Sequence, residues 1–337
     1  MRLLPWKNQI AVDLGTSSVH ISVKDGGVVV REPTVIAFSG SRRRPVAYGS
    51  EAKQMLDREI SDVEVVRPVR GGVVADFDAT AALLQYLIHE ALGQRPLLAP
   101  TVITAEPTRG TQVERRALVT VLRAAGAGQV VVIPRALAAA VGAGLPMDQA
   151  QCRLIVDMGA GATDVGVLSA GMISEGAALH FGGDDLDEAI VRMVKRRHNQ
   201  RIGMATAEDI KVMAGAVPGD PATDQLRLDD PGSAETVRGL SLEGVPDLMV
   251  ASLRPIAGEI LWMLEGLPDR QVEEMAVCDA FFTGGCGRMR GAAEVLSQEL
   301  ALPMQTATDP MSCTILGLEA IANDLAALSL DGRRFKQ

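Results

Sequence analysis

The sequence predicts an α/β chain built as two related lobes, and three observations carry that prediction. The segments Ile10-Ala-Val-Asp13-Leu-Gly15-Thr16-Ser17-Ser18 and Leu154-Ile-Val-Asp157-Met-Gly159-Ala-Gly161-Ala-Thr163-Asp164 are similar. Each reads as a buried apolar strand running into an aspartate and then a turn of glycine and small residues. A third strand, Ala280-Phe-Phe-Thr283, runs into Gly284-Gly285-Cys286-Gly287. Between these strands lie segments with apolar residues at helical spacing.

The elements follow in order. Residues 10 to 30 alternate apolar and polar and contain Asp25-Gly26-Gly27, a hairpin signal. A small insertion of strands and loops, about 31 to 72, ends at Gly71-Gly72. Ala79 to Leu92 and Thr111 to Ala125 have helical periodicity. Val130-Val-Val-Ile133 is a strand, followed by a small-residue helix from Ala138 to Gly144. The second lobe is expected over 147–316, with an insertion from about 182 to 242 in which Pro218-Gly-Asp-Pro221 and Asp229-Asp-Pro-Gly232 mark loops. A C-terminal helix, about Gly317 to Leu328, would return to the first lobe, giving that lobe 1–146 and about 317–337. The tail from Asp331 is expected to be mobile.

Composition sets outer limits. The chain has 337 residues, 47% of them hydrophobic, enough for two cored domains. A net charge of −9 argues against a nucleic-acid surface, which needs clustered Lys and Arg. Arg42-Arg-Arg44, the basic run, reads as a solvated loop tip. Cys152, Cys278, Cys286 and Cys313 have no CxxC spacing and follow no secretory signal, so they are expected to be reduced, cytosolic and packed as small apolar residues.

The paired turns carry chemistry. Glycine lets backbone N–H groups approach phosphate oxygens, and a preceding aspartate can hold a hydrated Mg²⁺. Taken alone, either copy could be an ordinary strand and turn. Two copies suggest lobes presenting phosphate hairpins from opposite sides of a cleft, the geometry of a nucleotide site. On this reading Asp13 and Asp157 hold Mg²⁺ through its water shell, Gly15, Thr16 and Ser17 cradle one side of the phosphates, and Gly159, Gly161 and Thr163 the other. Gly284, Gly285 and Gly287 would lie against a flat base. Glu208 and Lys211, three apart on one helical face, read by themselves as a surface ion pair.

These residues resemble the actin-superfamily ATPases, and most closely the bacterial actin homologues of the MreB family. The likeness runs from Ile10 to about Ala326. It includes Arg31-Glu-Pro-Thr34, Glu51-Ala-Lys-Gln-Met-Leu56, Gly72-Val-Val-Ala-Asp-Phe77, Thr111-Gln-Val-Glu-Arg-Arg-Ala117, Gly142-Ala-Gly-Leu-Pro146, Gly182-Gly-Asp-Asp-Leu-Asp-Glu-Ala-Ile190 and Ala205-Thr-Ala-Glu208-Asp-Ile-Lys211. The resemblance implies an actin-like fold, ribonuclease H-like and duplicated, with ATP and Mg²⁺ in a cleft between the lobes. It implies that Glu208 and Lys211 hold the ribose and adenine end. It also implies head-to-tail filaments on the inner face of the cytoplasmic membrane, working with cell-wall or cell-shape membrane proteins.

Two features bear on the membrane. The N-terminus, with Leu3, Leu4 and Trp6 beside Arg2 and Lys7, has the make-up of a short interfacial anchor, or else is a frayed end. Leu97 and Leu98 are adjacent leucines in a loop. No run of about eighteen apolar residues is long enough to span a bilayer.

The chain departs from the family at Ile133-Pro134-Arg135-Ala136: Arg135 stands where the family has the glutamate that positions the attacking water. An arginine cannot accept a proton. Ala160 and Ala162 stand where the family has Gly and Thr. Arg135 is expected either to turn inward and pair with the γ-phosphate, or to point away while another acid orients the water. Three functions follow: a filament protomer with slow or lost hydrolysis, a nucleotide-locked scaffold regulating a conventional homologue, or a small-molecule kinase.

Overall fold

The computed structural model describes residues 9–56, 62–93, 98–147, 151–220, 227–230, 237–276, 278 and 280–323. The chain divides into two units, Met1–Pro146 with Ser312–Gln337, and Met147–Met311. Leu3, Leu4, Trp6, Leu97 and the tail from Asp331 lie outside the described residues.

The first unit begins with β1 (Gln9–Leu14), β2 (Ser18–Val23) and β3 (Gly27–Pro33), an antiparallel meander. The β2–β3 hairpin turns where expected, with Asp25 and Gly27 at φ 61° and 72°. Then come β4 (Ile36–Ser39), β5 (Arg44–Tyr48), α1 (Gly49–Leu56), β6 (Val63–Val66) and the short pair β7 (Val69–Arg70) and β8 (Val73–Val74). The insertion therefore contains a helix, α1, besides the strands and loops read from the sequence. Arg43, in the basic run, is not merely solvated: it bonds Asp76 at 3.0 Å, lies near Glu64, and covers the Phe38 ring. The unit continues with α2 (Phe77–Leu92), β9 (Thr101–Glu106), α3 (Gln112–Ala124), β10 (Gln129–Pro134) and α4 (Arg135–Gly142). Asp76 caps α2 through the Ala79 N–H, and Thr111 and Glu114 form a capping box on α3.

The main sheet has the order β10-β9-β1-β2-β3, with β1, β9 and β10 parallel. Strand alternation assigns its two faces. Ile10, Val12 and Leu14 pack with Leu83, Leu84 and Leu87 of α2 and Val121 and Leu122 of α3. Ala11 packs on the other side with Ile103, Ile133 and Ala138. Asp13 has the parity of Ala11, so it points to the side that α4 covers.

The second unit repeats the plan. It contains β11 (Arg153–Met158), β12 (Thr163–Ser169), β13 (Met172–Leu179), α5 (Gly183–His198), α6 (Met204–Ala214), β14 (Arg227–Asp230), β15 (Val237–Ser241), α7 (Val245–Glu265), α8 (Asp269–Ala276), β16 (Ala280–Thr283), a 3₁₀ turn at Gly285–Arg288, α9 (Ala292–Leu300) and β17 (Met304–Thr306). Its sheet order, β13-β12-β11-β16-β17, matches the first sheet strand for strand, with β11, β16 and β17 parallel and β11, β12 and β13 antiparallel. Leu154, Val156 and Met158 enter a core with Leu186 and Ile190 of α5, Met249 and Leu253 of α7 and Leu296 of α9. Asp157 again has the opposite parity. Asp229, read as a loop residue, lies in β14, at an irregularity in its pairing with β15.

The chain returns to the first unit in α10 (Cys313–Asn323), which packs on α4. A Cβ on Gly142 would run into the Cys313 carbonyl, and one on Gly317 into the Ala138 carbonyl. Gly317 is therefore inside the helix, as a close-approach residue, rather than at its start as the sequence reading placed it.

Candidate functional site

In the first unit the turn after β1 is braced from outside. Gly15 N–H donates to Ser18 O at 3.0 Å, and a Cβ on Gly15 would come within 2.9 Å of that oxygen. The buried Thr34 donates its hydroxyl to Gly15 O at 2.8 Å and its N–H to Ser17 O at 3.0 Å. Gly72 donates its N–H to Thr16 Oγ1 at 2.9 Å, from a turn in which Gly71 and Gly72 have φ of 56° and 78°. Thr16 is buried and Ser17 exposed.

Asp13, next to last in β1, is buried, and it is paired. Arg135 Nη1 lies 2.9 Å from Asp13 Oδ1, and Nη2 donates to Leu14 O at 3.3 Å. Arg135 opens α4, whose early N–H at Ala136 is taken by Thr108 Oγ1 at 3.0 Å. A cation in the first turn of a helix opposes the helix dipole; the carboxylate of Asp13 offsets this. Neither reading of Arg135 made from sequence includes this pairing: the guanidinium turns onto a carboxylate of the protein. It also bears on the metal role expected of Asp13, since Oδ1 is taken by Arg135. With Arg135 at 2.9 Å, the charge that Asp13 would offer a hydrated Mg²⁺ is already largely balanced, which makes this turn a poor place for the ion. Among the described residues no cluster of three or more His, Cys, Asp or Glu suits a metal ion.

In the second unit the Gly159–Thr163 turn is closed on the start of α5. Gly159 N–H donates to Ala162 O at 2.9 Å, Gly183 N–H to Gly159 O at 2.9 Å and Asp184 N–H to Ala160 O at 2.8 Å. Gly182 has no room for a side chain against Ala160 O. Gly161 is buried within the turn. Thr163 is fully buried and donates its hydroxyl to Phe181 O at 2.8 Å. That hydroxyl therefore ties β12 to the segment before α5 and is not presented to a ligand, which corrects its predicted role. Asp157 Oδ1 accepts from the Thr283 hydroxyl at 3.1 Å.

The third glycine turn resolves into distinct parts. Gly284 has φ 86° and no space for a Cβ beside Met158 O. Gly287 is pressed against Pro310, where a Cβ would come within 2.5 Å of the ring. Gly285 alone is exposed with open space around it. Of the three glycines expected to face a base, two are fixed by packing.

Lys211 is buried, with Nζ 2.9 Å from both oxygens of Asp187 and 3.1 Å from Gly183 O. Its partner is thus Asp187 of α5 and not Glu208, which is exposed, so the surface ion pair read from spacing does not form. The directed hydrogen bond goes to Asp187 Oδ2, and Oδ1 has no directed donor. Burial pushes the Asp187 carboxyl up to about 6 against the opposing pull of Lys211. Cys286 lies against Gly159 O at 3.6 Å, and burial pushes its thiol up to about 12, so it stays a protonated, unreactive thiol. All four cysteines are free and buried.

Thr34, Gly72, Asp187 and Thr283 belong to these turns without having been singled out as site residues. Gly71-Gly72 and the Gly182–Ile190 string were visible in the sequence; the long-range contacts that give them meaning were not.

A family model described as MreB/Mbl protein matches residues 7–329. The chain belongs to the MreB/Mbl family. It is similar to the cell shape-determining protein MreB of Escherichia coli K12, at 36% identity over 324 residues, covering 93% of this chain and 92% of that protein. It is also similar to the cell shape-determining protein Mbl of Bacillus subtilis, at 30% identity, covering 96% and 98%. Among solved structures, MreB 5 of Spiroplasma citri bound to AMPPNP superposes with a TM-score of 0.87 at 26% identity, covering 97% of this chain and 99% of that one. The fold is therefore the actin-like fold of MreB/Mbl proteins, which accounts for the two matching sheets.

Proposed function

We propose that this chain is an ATP-binding protomer of a bacterial actin-like filament that lies on the inner face of the cytoplasmic membrane and organises cell shape or cell-wall synthesis. The observation that carries the reading is the duplicated β-strand, aspartate and glycine-turn unit at Asp13–Ser17 and Asp157–Thr163, in a member of the MreB/Mbl family. Relatives named cell shape-determining proteins and an MreB bound to AMPPNP support it. Thr16 and Ser17 would contribute backbone and hydroxyl donors to the phosphates and Gly161 a backbone donor, while Gly15 and Gly159, whose N–H groups close their own turns, would shape the two cradles. Glu208 would reach the ribose, Lys211 would hold the neighbouring backbone, and Gly285 would give room for the base. A head-to-tail contact between copies is heterologous and does not close, which makes a filament of a folded subunit.

Hydrolysis is slow on this reading. Residue 135 cannot accept a proton, and losing a positioned base typically costs about 10²–10⁴ in rate. The same feature favours the second reading, a nucleotide-locked scaffold that copolymerises with a conventional homologue. Membrane contact would use the N-terminal residues and Leu98, which is 63% exposed; no helix among the described residues is long and apolar enough to cross a membrane. Avidity along a filament would make weak single contacts add.

ATP turnover measured in parallel with pelleting, with and without anionic vesicles, tests this. Polymer formed in ATP, enriched on vesicles, with turnover far below that of the Arg135→Glu variant supports the filament. Absence of ATP-dependent polymer, alone or with a conventional homologue, would overturn it.

A further inference from the structure

Arg135 is held at the root of the first turn by two contacts on adjacent residues, Asp13 Oδ1 at 2.9 Å and Leu14 O at 3.3 Å, immediately before Gly15. The Arg135 and Asp13 side chains keep only 16% and 11% of their surface, so the pair is shielded from water and less screened than a surface ion pair. It is also rigidly based. Arg135 is the first residue of α4, which directly follows β10 at Pro134, and α4 is locked on α10 by the Gly142 and Gly317 contacts.

We infer that Arg135 is the resident cation of this turn, balancing the charge of Asp13 as a metal ion there would, so that the chain binds nucleoside di- and triphosphates without needing a divalent ion. The inference rests on the nucleotide reading above and deepens it. The guanidinium carries five N–H donors in a fixed plane and stays charged at every accessible pH. Pairing with Asp13 leaves this turn near neutral for an arriving phosphate, where an unpaired aspartate would repel it. A hydrated Mg²⁺ approaching Asp13 would meet a fixed positive charge. The departure at position 135 thus changes what the first unit asks of its ligand, as well as removing a base.

The test is calorimetric titration of ADP and of AMPPNP in Mg²⁺ and in EDTA, on the whole chain and on the Arg135→Gln and Arg135→Lys variants. The unmodified chain should lose less than about threefold in affinity on metal removal. Arg135→Gln should lose about tenfold or more in EDTA and recover with Mg²⁺, while Arg135→Lys, which keeps the charge, should stay tolerant of EDTA. If Arg135→Gln does not fold, the unmodified chain and Arg135→Lys decide. Tenfold or greater dependence on Mg²⁺ in the unmodified chain, or the same dependence in all three proteins, overturns this inference alone. No binding in either buffer to folded protein overturns the nucleotide reading and this inference with it.

Discussion

Asp187 is a carboxylate whose chemistry is set by its surroundings. Its carboxyl is pushed up to about 6, first by burial, with Lys211 pulling the other way and Glu208 and Asp184 adding to the rise. The folded chain therefore binds a proton at this site more tightly than the unfolded chain does. Between the ordinary carboxylate range and about 6, stability falls as pH rises, and above that window the contribution is level. Urea midpoints measured from about pH 5 to about pH 7 should fall more steeply for the unmodified chain than for Asp187→Asn; equal slopes would show that Asp187 titrates normally. The Glu208 and Lys211 spacing suggested a local pair, but Lys211 reaches back 24 residues to Asp187. Burial decides this, because a buried ammonium needs a carboxylate inside the core more than one at the surface. Arg135 is a stronger case. Its pairing with Asp13 spans 122 residues and depends on strand parity and on where α4 begins, neither of which a linear motif records.

Elements were legible where local chemistry fixes them. The Thr111 and Glu114 capping box, the Asp25-Gly26-Gly27 turn and the leucine spacing of α2 each act within a few residues of themselves. Boundaries failed where glycine served packing. Gly317 was read as a helix start, yet it lies within α10 because α4 must come close at Ala138 and Gly142. Gly142→Ala or Gly317→Ala would push a methyl group into a facing carbonyl, and the helices would have to separate along a seam built on Ala138, Ile315 and Leu318. Each should destabilise the chain by about 1–3 kcal/mol, the usual cost of overpacking, against a gain below about 1 kcal/mol from helix propensity. Thermal melts decide the sign: a rise in Tm for either variant would mean that the seam has slack. Helix α1 was missed because its eight residues fall within a segment read as strands and loops.

At the scale of the whole molecule, the duplication was the clearest signal in the sequence. Two strands ending in Asp and Gly turns predicted two related units, and the two sheets have corresponding orders and directions. What pattern could not supply was which hydroxyls and glycines remain for a ligand after the fold has used its share. Thr163 is spent on Phe181, Gly284 and Gly287 on packing, and Thr16 is braced by Gly72. The central claim is that both turns hold nucleotide, each in a backbone shape that a β-carbon at Gly15 or at Gly182 would disturb. It is tested most directly by calorimetric titration of ATP into the unmodified chain, Gly15→Val in the first unit and Gly182→Val in the second, with folding checked by circular dichroism. A Cβ at Gly15 meets Ser18 O, and one at Gly182 meets Ala160 O, so each change distorts one turn. The account predicts saturable ATP binding to the unmodified chain and at least about tenfold weaker binding in each folded variant, roughly 1.4 kcal/mol apiece. Absence of ATP binding to folded unmodified protein, or affinity unchanged in both variants, would contradict it.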